Sequence, residues 1–216
     1  MNPKPNIIFI MADDHAARAI SCYGAGINET PNIDRLAEEG IRLNHCYVTN
    51  SICTPSRAAI LTGTYNHVNC VFTLQTPINN RMPNVAKHLR TGNYQTAVIG
   101  KWHLGAHIPT SHPLKRGFDE FYGHLGGGHT YFPEKLTIER SQDAKGESES
   151  YRTWLLKNYE PVPPRKYITD DFSDEAVAFI ERNRDWPFFL FLSYNAPHTP
   201  LEATDKYLNR FPAIKD

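Results

Sequence analysis

Three observations predict an α/β fold with a mostly parallel or mixed central sheet flanked by helices. Residues 6–11 (NIIFIM) form a short, continuous apolar run rich in β-branched side chains, the pattern of a parallel strand buried on both faces. Strand-like and helix-like segments then alternate along the chain. The chemistry-bearing residues cluster just after strand-like runs, where open α/β sheets place their ligands.

The elements follow in order. Asp13, Asp14 and His15 come directly after the first run. Thr30 reads as an N-cap, Pro31 as the first helical residue and Gly40 as the stop, with Ile33, Leu36 and Ala37 as the apolar face. Residues 41–48 alternate as a second strand would. Residues 55–61 and 83–89 read as further helices, the latter ending near Gly92. Residues 96–100 form a short buried strand, and 118–122 an edge strand or a turn. Residues 133–166 are rich in Glu, Ser, Lys and Pro and lack periodicity, so they read as a surface excursion, a lid or substrate loop. Thr169, Asp170 and Asp171 cap an amphipathic helix carrying Phe172, Ala176, Val177, Phe179 and Ile180. Residues 188–194 are an aromatic-rich buried strand, left by a proline-stiffened loop at 196–200.

Composition narrows the function. The 216 residues suit one large domain or two small ones. Lys+Arg and Asp+Glu are both 23, so the formal net charge is zero and bulk nucleic acid is not an expected partner. No apolar run approaches the roughly 20 residues a membrane span needs, so no membrane partner is expected. The four cysteines, Cys22, Cys46, Cys53 and Cys70, form no C-x-x-C pair and are too sparse for a disulfide scaffold. Residues 7–12 are too short and too close to Met1 for an export signal. The expected location is cytoplasmic if Met1 is the native start, and periplasmic or secreted if a signal was removed.

The sharpest segment is residues 53–63, CTPSRAAILTG. It places Cys53 just before a proline-started helix, whose first N–H groups point back towards it and favour an anion. Arg57 lies about one turn on and can reach the same spot with a planar donor fork. A nucleophile position, an anion hole and an arginine converge.

This segment resembles the signature C-x-P-S-R-x-x-x-L-T-G of the type I sulfatases, formylglycine-dependent members of the alkaline phosphatase superfamily. The strand followed by Asp13 and Asp14 is similar to that family's first metal motif. Residues 100–105 (GKWHLG) look like its second signature, and residues 196–200 (APHTP) resemble the segment carrying another active-site histidine. The matches run in the family's order over nearly the whole chain. The resemblance implies an alkaline phosphatase-like fold and a sulfuric ester hydrolase. Cys53, oxidised by a formylglycine-generating enzyme, becomes an aldehyde and then a geminal diol. A divalent cation (calcium first, magnesium or manganese next) held by Asp13, Asp14 and position 53 activates one hydroxyl for attack on sulfur. Loss of a proton from the other hydroxyl, to His103, expels sulfate. Arg57 holds the modified residue, Lys101 and His198 bind sulfate oxygens, and His198 is the candidate acid for the leaving alcohol. The substrate implied is a small-molecule or saccharide sulfate ester, with aryl sulfates included.

No Asp-Asn or Asp-His pair follows His198, although the family completes its metal site with one. Residues 1–216 are therefore expected to be the amino-terminal part of the catalytic domain, with weak calcium binding, poor or no sulfate ester hydrolysis by the chain alone, and either self-association or a carboxyl-terminal partner. The alternatives are a phosphonate or phosphate monoester hydrolase of the same superfamily, and an inactive fragment or binding subunit.

Overall fold

The computed structural model describes residues 4–26, 28–135 and 153–213. They form two compact units: Met1–Asp13 with Thr49–Asp216, and Asp14–Val48. The fold class is as expected, an α/β arrangement with a mixed sheet.

The larger unit is built on a six-stranded sheet among the described residues, in the order β1-β6-β2-β3-β4-β5. The strands are β1 (Ile7–Met11), β2 (Gln95–Lys101), β3 (Glu120–His124), β4 (Leu155–Lys157), β5 (Glu160–Pro161) and β6 (Phe188–Ser193). The first four in spatial order are parallel, and β3-β4-β5 are antiparallel. All six residues of β6 are buried, because it lies between two parallel neighbours. Its odd and even positions feed opposite layers. Phe189 and Phe191 pack with Val98, Trp102 and Phe118, while Phe188, Leu190 and Leu192 pack with Ala97, Ile99 and Phe172.

Several expectations are corrected. Strand β1 is not buried on both faces: β6 is its neighbour, and Ile8, Phe9 and Ile10 are 46%, 38% and 58% exposed. An apolar run records a tendency to be covered, and these described residues do not cover it. Residues 118–122 are no edge, since β3 pairs on both sides. Part of the supposed excursion at 133–166 folds onto the sheet as β4 and β5, and residues 136–152 of it lie outside the described residues. Three Leu and Lys residues suffice for β4 because β3 supplies the template; Leu155 is fully buried.

The helices of this unit are α2 (Cys53–Thr62), α3 (Asn66–Asn69), α4 (Val85–Thr91), α5 (Ile168–Asn183) and α6 (Asp205–Leu208). Helix α2 starts at Cys53, two residues before Pro55, and ends at Gly63 in the left-handed region (φ 66°). Asn84 caps α4, accepting from the Lys87 amide at 3.0 Å. Helix α5 starts at Ile168, so Thr169, Asp170 and Asp171 lie in its first turn, where carboxylates favour the dipole. Asp171 is buried, accepting from the Tyr122 hydroxyl (2.9 Å) and from Arg165 (2.6 Å). Of the predicted apolar face, Phe172, Ala176 and Phe179 are buried, whereas Val177 is exposed.

The smaller unit holds two short 3-10 turns and α1 (Pro31–Glu39). Thr30 caps no amide of α1 with its side chain; its hydroxyl accepts from the Ser21 amide (3.0 Å) and donates to Asp34 (3.0 Å), which also accepts from Ser21 Oγ (2.6 Å) and the Cys22 amide (2.9 Å). These bonds, that from Ser21 foremost, hold the Asp34 carboxyl below the usual range. Gly40 is not left-handed (φ −127°), and no residue of α1 is buried, so the predicted face of Ile33 and Leu36 is exposed. Residues 41–48 form no strand, having no partner strand among the described residues.

Candidate active site

The carboxyl ends of β1, β2 and β6 meet the amino end of α2. Asp13 is two residues past β1, and its amide donates to Ala196 O (3.0 Å) in the loop after β6. That bond pins Asp13 to the segment carrying His198. Lys101 is the last residue of β2 and Cys53 the first of α2.

A buried charge cluster results. Asp13 Oδ2 accepts from Arg57 Nη2 at 3.1 Å and from Lys101 Nζ at 2.5 Å. The Lys101 side chain has no exposure and that of Arg57 is 4% exposed. Arg57 Nη1 also donates to Lys101 O (2.8 Å) and Ser193 Oγ (2.6 Å), and Ser193 Oγ donates to Lys101 O (2.8 Å). The Cys53 thiol lies 3.8 Å from Asp13 Oδ1. Two cations and one carboxylate leave a net positive charge beside the cysteine, in surroundings where screening by water is weak.

The charges set one another's protonation. Burial alone would raise the Asp13 carboxyl, but Arg57, Lys101 and the lysine hydrogen bond outweigh it and hold the group below its usual value. Burial and the Arg57 charge push the Lys101 ammonium down, against the pull of Asp13 and Cys53. His103 falls to about 3, through burial first and then the Lys101 and Arg57 charges. It is therefore a neutral imidazole at neutral pH. His198 is near enough to act electrostatically on Asp13 and His103. Its Nδ1 lies 2.7 Å from Thr199 O, an acceptor only, so Nδ1 carries the proton of the neutral ring.

Strand parity does not place His103. Strand β2 ends at Lys101, and His103 has a left-handed backbone (φ 55°). The amides of Trp102 and His103 instead donate to His124 O (3.0 Å) and Leu125 O (3.1 Å), which carries the turn past the strand end. Gly100 is needed beneath it: at φ 107°, a Cβ there would meet Ser193 O at 1.9 Å.

Of the seven residues singled out from sequence, six (Asp13, Cys53, Arg57, Lys101, His103 and His198) lie in the larger unit, linked by these bonds and fields. Asp14 opens the smaller unit, with a left-handed backbone at φ 58°. Ser193 was missed, though it occupies the strand position two beyond Phe191 and so faces α2. His124 was missed as well. It is the register partner of Lys101 and fully buried, which pushes its imidazole well below the usual value, helped by His129 and Lys101.

Asp13 offers hard oxygen of the kind a divalent cation takes. However, no group of three or more His, Cys, Asp and Glu side chains among the described residues could hold a metal ion. A cation of calcium type needs roughly 6–8 oxygens. These residues therefore fall short of a cage. No described helix is long and apolar enough to cross a membrane.

Comparison with known proteins agrees with the geometry. The chain is 35% identical over 209 residues to the N-acetylglucosamine-6-O-sulfatase of Bacteroides thetaiotaomicron, covering 96% of this chain and 33% of that protein. It is 33% identical to the N-acetylgalactosamine-6-sulfatase of Homo sapiens, covering 94% and 41%. The crystal structure of Ps i-CgsB in complex with k-i-k-neocarrahexaose superposes with a TM-score of 0.90 at 42% identity, covering 99% of this chain and 49% of that one. The chain thus spans half or less of the length of these relatives. The sequence model of the Sulfatase family matches residues 5–216, and on that match the chain belongs to the sulfatase family.

Proposed function

We propose that the chain carries the sulfate-binding and nucleophile-bearing part of a sulfuric ester hydrolase acting on saccharide sulfates. One observation carries the reading: Arg57 and Lys101 converge on Asp13 with the Cys53 side chain beside them. A sulfate ester brings one negative charge, and the cluster has a net positive charge to meet it. The developing charge on oxygen is then met by groups already in place, which is where enzymes gain most. The saccharide part of the reading rests on the relatives, one named for an N-acetylglucosamine sulfate and one crystallised with a hexasaccharide.

In this reading Cys53 is matured to formylglycine, which as a hydrate would supply one hydroxyl to attack sulfur and a second to expel sulfate. The chain's own residues do the rest. Arg57 holds position 53 and stays fixed by Ser193. Lys101 binds a sulfate oxygen. Neutral His103 takes a proton from the modified residue, and His198 gives one to the leaving alcohol.

The test is co-expression with a formylglycine-generating enzyme. Peptide mass spectrometry should show Cys53 lighter by about 18 Da, the change from thiol to aldehyde. The matured protein at full length should then release sulfate from N-acetylglucosamine 6-sulfate, and Cys53→Ala should not. An unmodified Cys53 alongside a modified control sulfatase overturns the reading. Faster cleavage of an aryl phosphonate than of an aryl sulfate moves it to phosphonate hydrolysis.

A further inference from the structure

Residues 72–77 (FTLQTP) form a span anchored in the core at both ends. Val71 and Ile78, on either side, are 1% and 2% exposed, whereas Phe72 and Leu74 within it are 55% and 42% exposed. Both ends are also tied to the site. Thr54, the residue after Cys53, donates from Oγ1 to Leu74 O (3.3 Å), and Asn66 Nδ2 donates to Pro55 O (2.8 Å) and Val71 O (2.9 Å). The span therefore runs along the first turn of α2. At its far end the Ile78 amide donates to the carbonyl of Leu104 (3.2 Å), the residue after His103. We propose that Phe72, Leu74 and Gln75 are specificity-determining residues, a rim that holds the sugar ring of the substrate while the cationic cluster engages its sulfate.

The rim is stiff. The Thr76 amide donates to Thr73 O (3.2 Å), and the hydroxyls of Thr73 and Thr76 lie 2.9 Å apart. Leu74 and Gln75 are the central residues of that turn. The Gln75 side chain is exposed and makes no hydrogen bond among the described residues. Its backbone needs no ordering when a ligand arrives, which lowers the cost of contact.

The chemistry of the rim selects the part of the substrate that it meets. From Phe72 to Asn79 there is no charged side chain, so this segment offers a sulfate no counter-charge. The anionic end belongs to Arg57 and Lys101. Phe72 and Leu74 offer apolar contact to the C–H face of a pyranose. The Gln75 amide both donates and accepts, as a sugar hydroxyl or an N-acetyl group requires. A plain hydrocarbon would use Phe72 and Leu74 but strip water from that amide without replacing it. The inference rests on the saccharide reading above and names the residues that read the sugar.

The experiment uses the matured protein at full length, with N-acetylglucosamine 6-sulfate and 4-nitrophenyl sulfate as paired substrates. Both present a sulfate ester to the cluster, and only the first presents hydroxyls and an N-acetyl group. Gln75→Ala should raise KM for the sugar ester about tenfold with kcat within about twofold, and leave kcat/KM for the aryl ester unchanged. Phe72→Ala should raise KM for the sugar ester by a similar factor, and Phe72→Tyr, which keeps the ring, should restore it. Both side chains are exposed, so unfolding midpoints in urea should match the parent's. A parent-like KM in either alanine variant, or an equal loss on both esters in Gln75→Ala, overturns the proposal. A binding measurement separates it from the ester reading. Saturation-transfer NMR on the unmatured protein should show saturation of the sugar ring protons of N-acetylglucosamine 6-sulfate, weakened in Phe72→Ala. Turnover of neither ester by the matured parent, with that binding pattern intact, refutes the ester reading and leaves the rim standing. Absence of saturation in the parent, or equal saturation in Phe72→Ala, overturns the rim.

Discussion

Replacing Asp13 by Asn exposes the electrostatic logic of the cluster. In the parent, one carboxylate faces two cations, so the buried charge is +1. In the variant it is +2, with the Lys101 side chain fully buried and Arg57 nearly so. Removing one partner from a buried ion pair costs about 3–5 kcal/mol, because the remaining charge has lost both water and partner. At roughly 2–4 °C per kcal/mol for a domain of this size, the unfolding midpoint should fall by about 6–20 °C. Urea unfolding by circular dichroism gives the free energy directly. A second variant isolates the cause. Asp13→Asn with Lys101→Met returns the buried charge to +1, and its loss should be smaller than that of Asp13→Asn alone. Inorganic sulfate should raise the midpoint of Asp13→Asn more than that of the parent, since the anion replaces the missing charge. A loss under about 1 kcal/mol for Asp13→Asn, or a double variant less stable than the single by the full cost of Lys101→Met, would refute the reasoning.

Arg57→Lys keeps the charge but cannot span Asp13 Oδ2, Ser193 Oγ and Lys101 O together; stability should drop by about 1–3 kcal/mol in denaturant titration, and kcat/KM of the matured enzyme at least about a hundredfold. Stability should also fall with acid. His103 ionises near 3 when folded but near 6.5 when unfolded, so between those values the unfolded chain binds the extra proton and gains. At about 1.4 kcal/mol per pH unit the loss approaches about 4 kcal/mol by pH 3, and His103→Gln should show a flatter pH–stability curve than the parent. Gly100→Ala should cost more than about 3 kcal/mol or abolish folding, because its Cβ would overlap Ser193 O; a variant within 1 kcal/mol of the parent in urea unfolding would contradict the close approach.

How much of this was legible in the residues depended on what each signal encodes. The run at 188–194 was readable as a buried strand because both of its faces meet core, and the run at 7–11 is as apolar yet lies at an edge of the described sheet. Apolar content reports a tendency to be covered, not the identity of the cover. Residues 41–48 alternate, but alternation without a partner strand forms nothing. The reverse held for β4, where a three-residue segment in a polar stretch is made a strand by the edge of β3. Site residues in dense local patterns, such as Cys53 with Arg57, were readable because spacing along one helix is a local matter. Ser193 was hidden, since a serine ending an aromatic strand is common and its meaning comes from Arg57, 136 residues away.

The pairing of β1 bears on when the site comes into being. Its neighbour in the sheet is β6, and Asn6 Oδ1 meets the Phe188 amide across 182 residues of sequence. At about 5–20 residues per second, the ribosome needs roughly ten to forty seconds to supply that neighbour after β1 has been made. For that interval Asp13 has no strand to hold it, and the Ser193 hydroxyl that anchors Arg57 does not yet exist. The segment around Cys53 thus spends its early life outside the charge cluster that later surrounds it. An enzyme that reaches Cys53 during synthesis meets it before its charge cluster is complete, and the arrival of β6 completes that cluster.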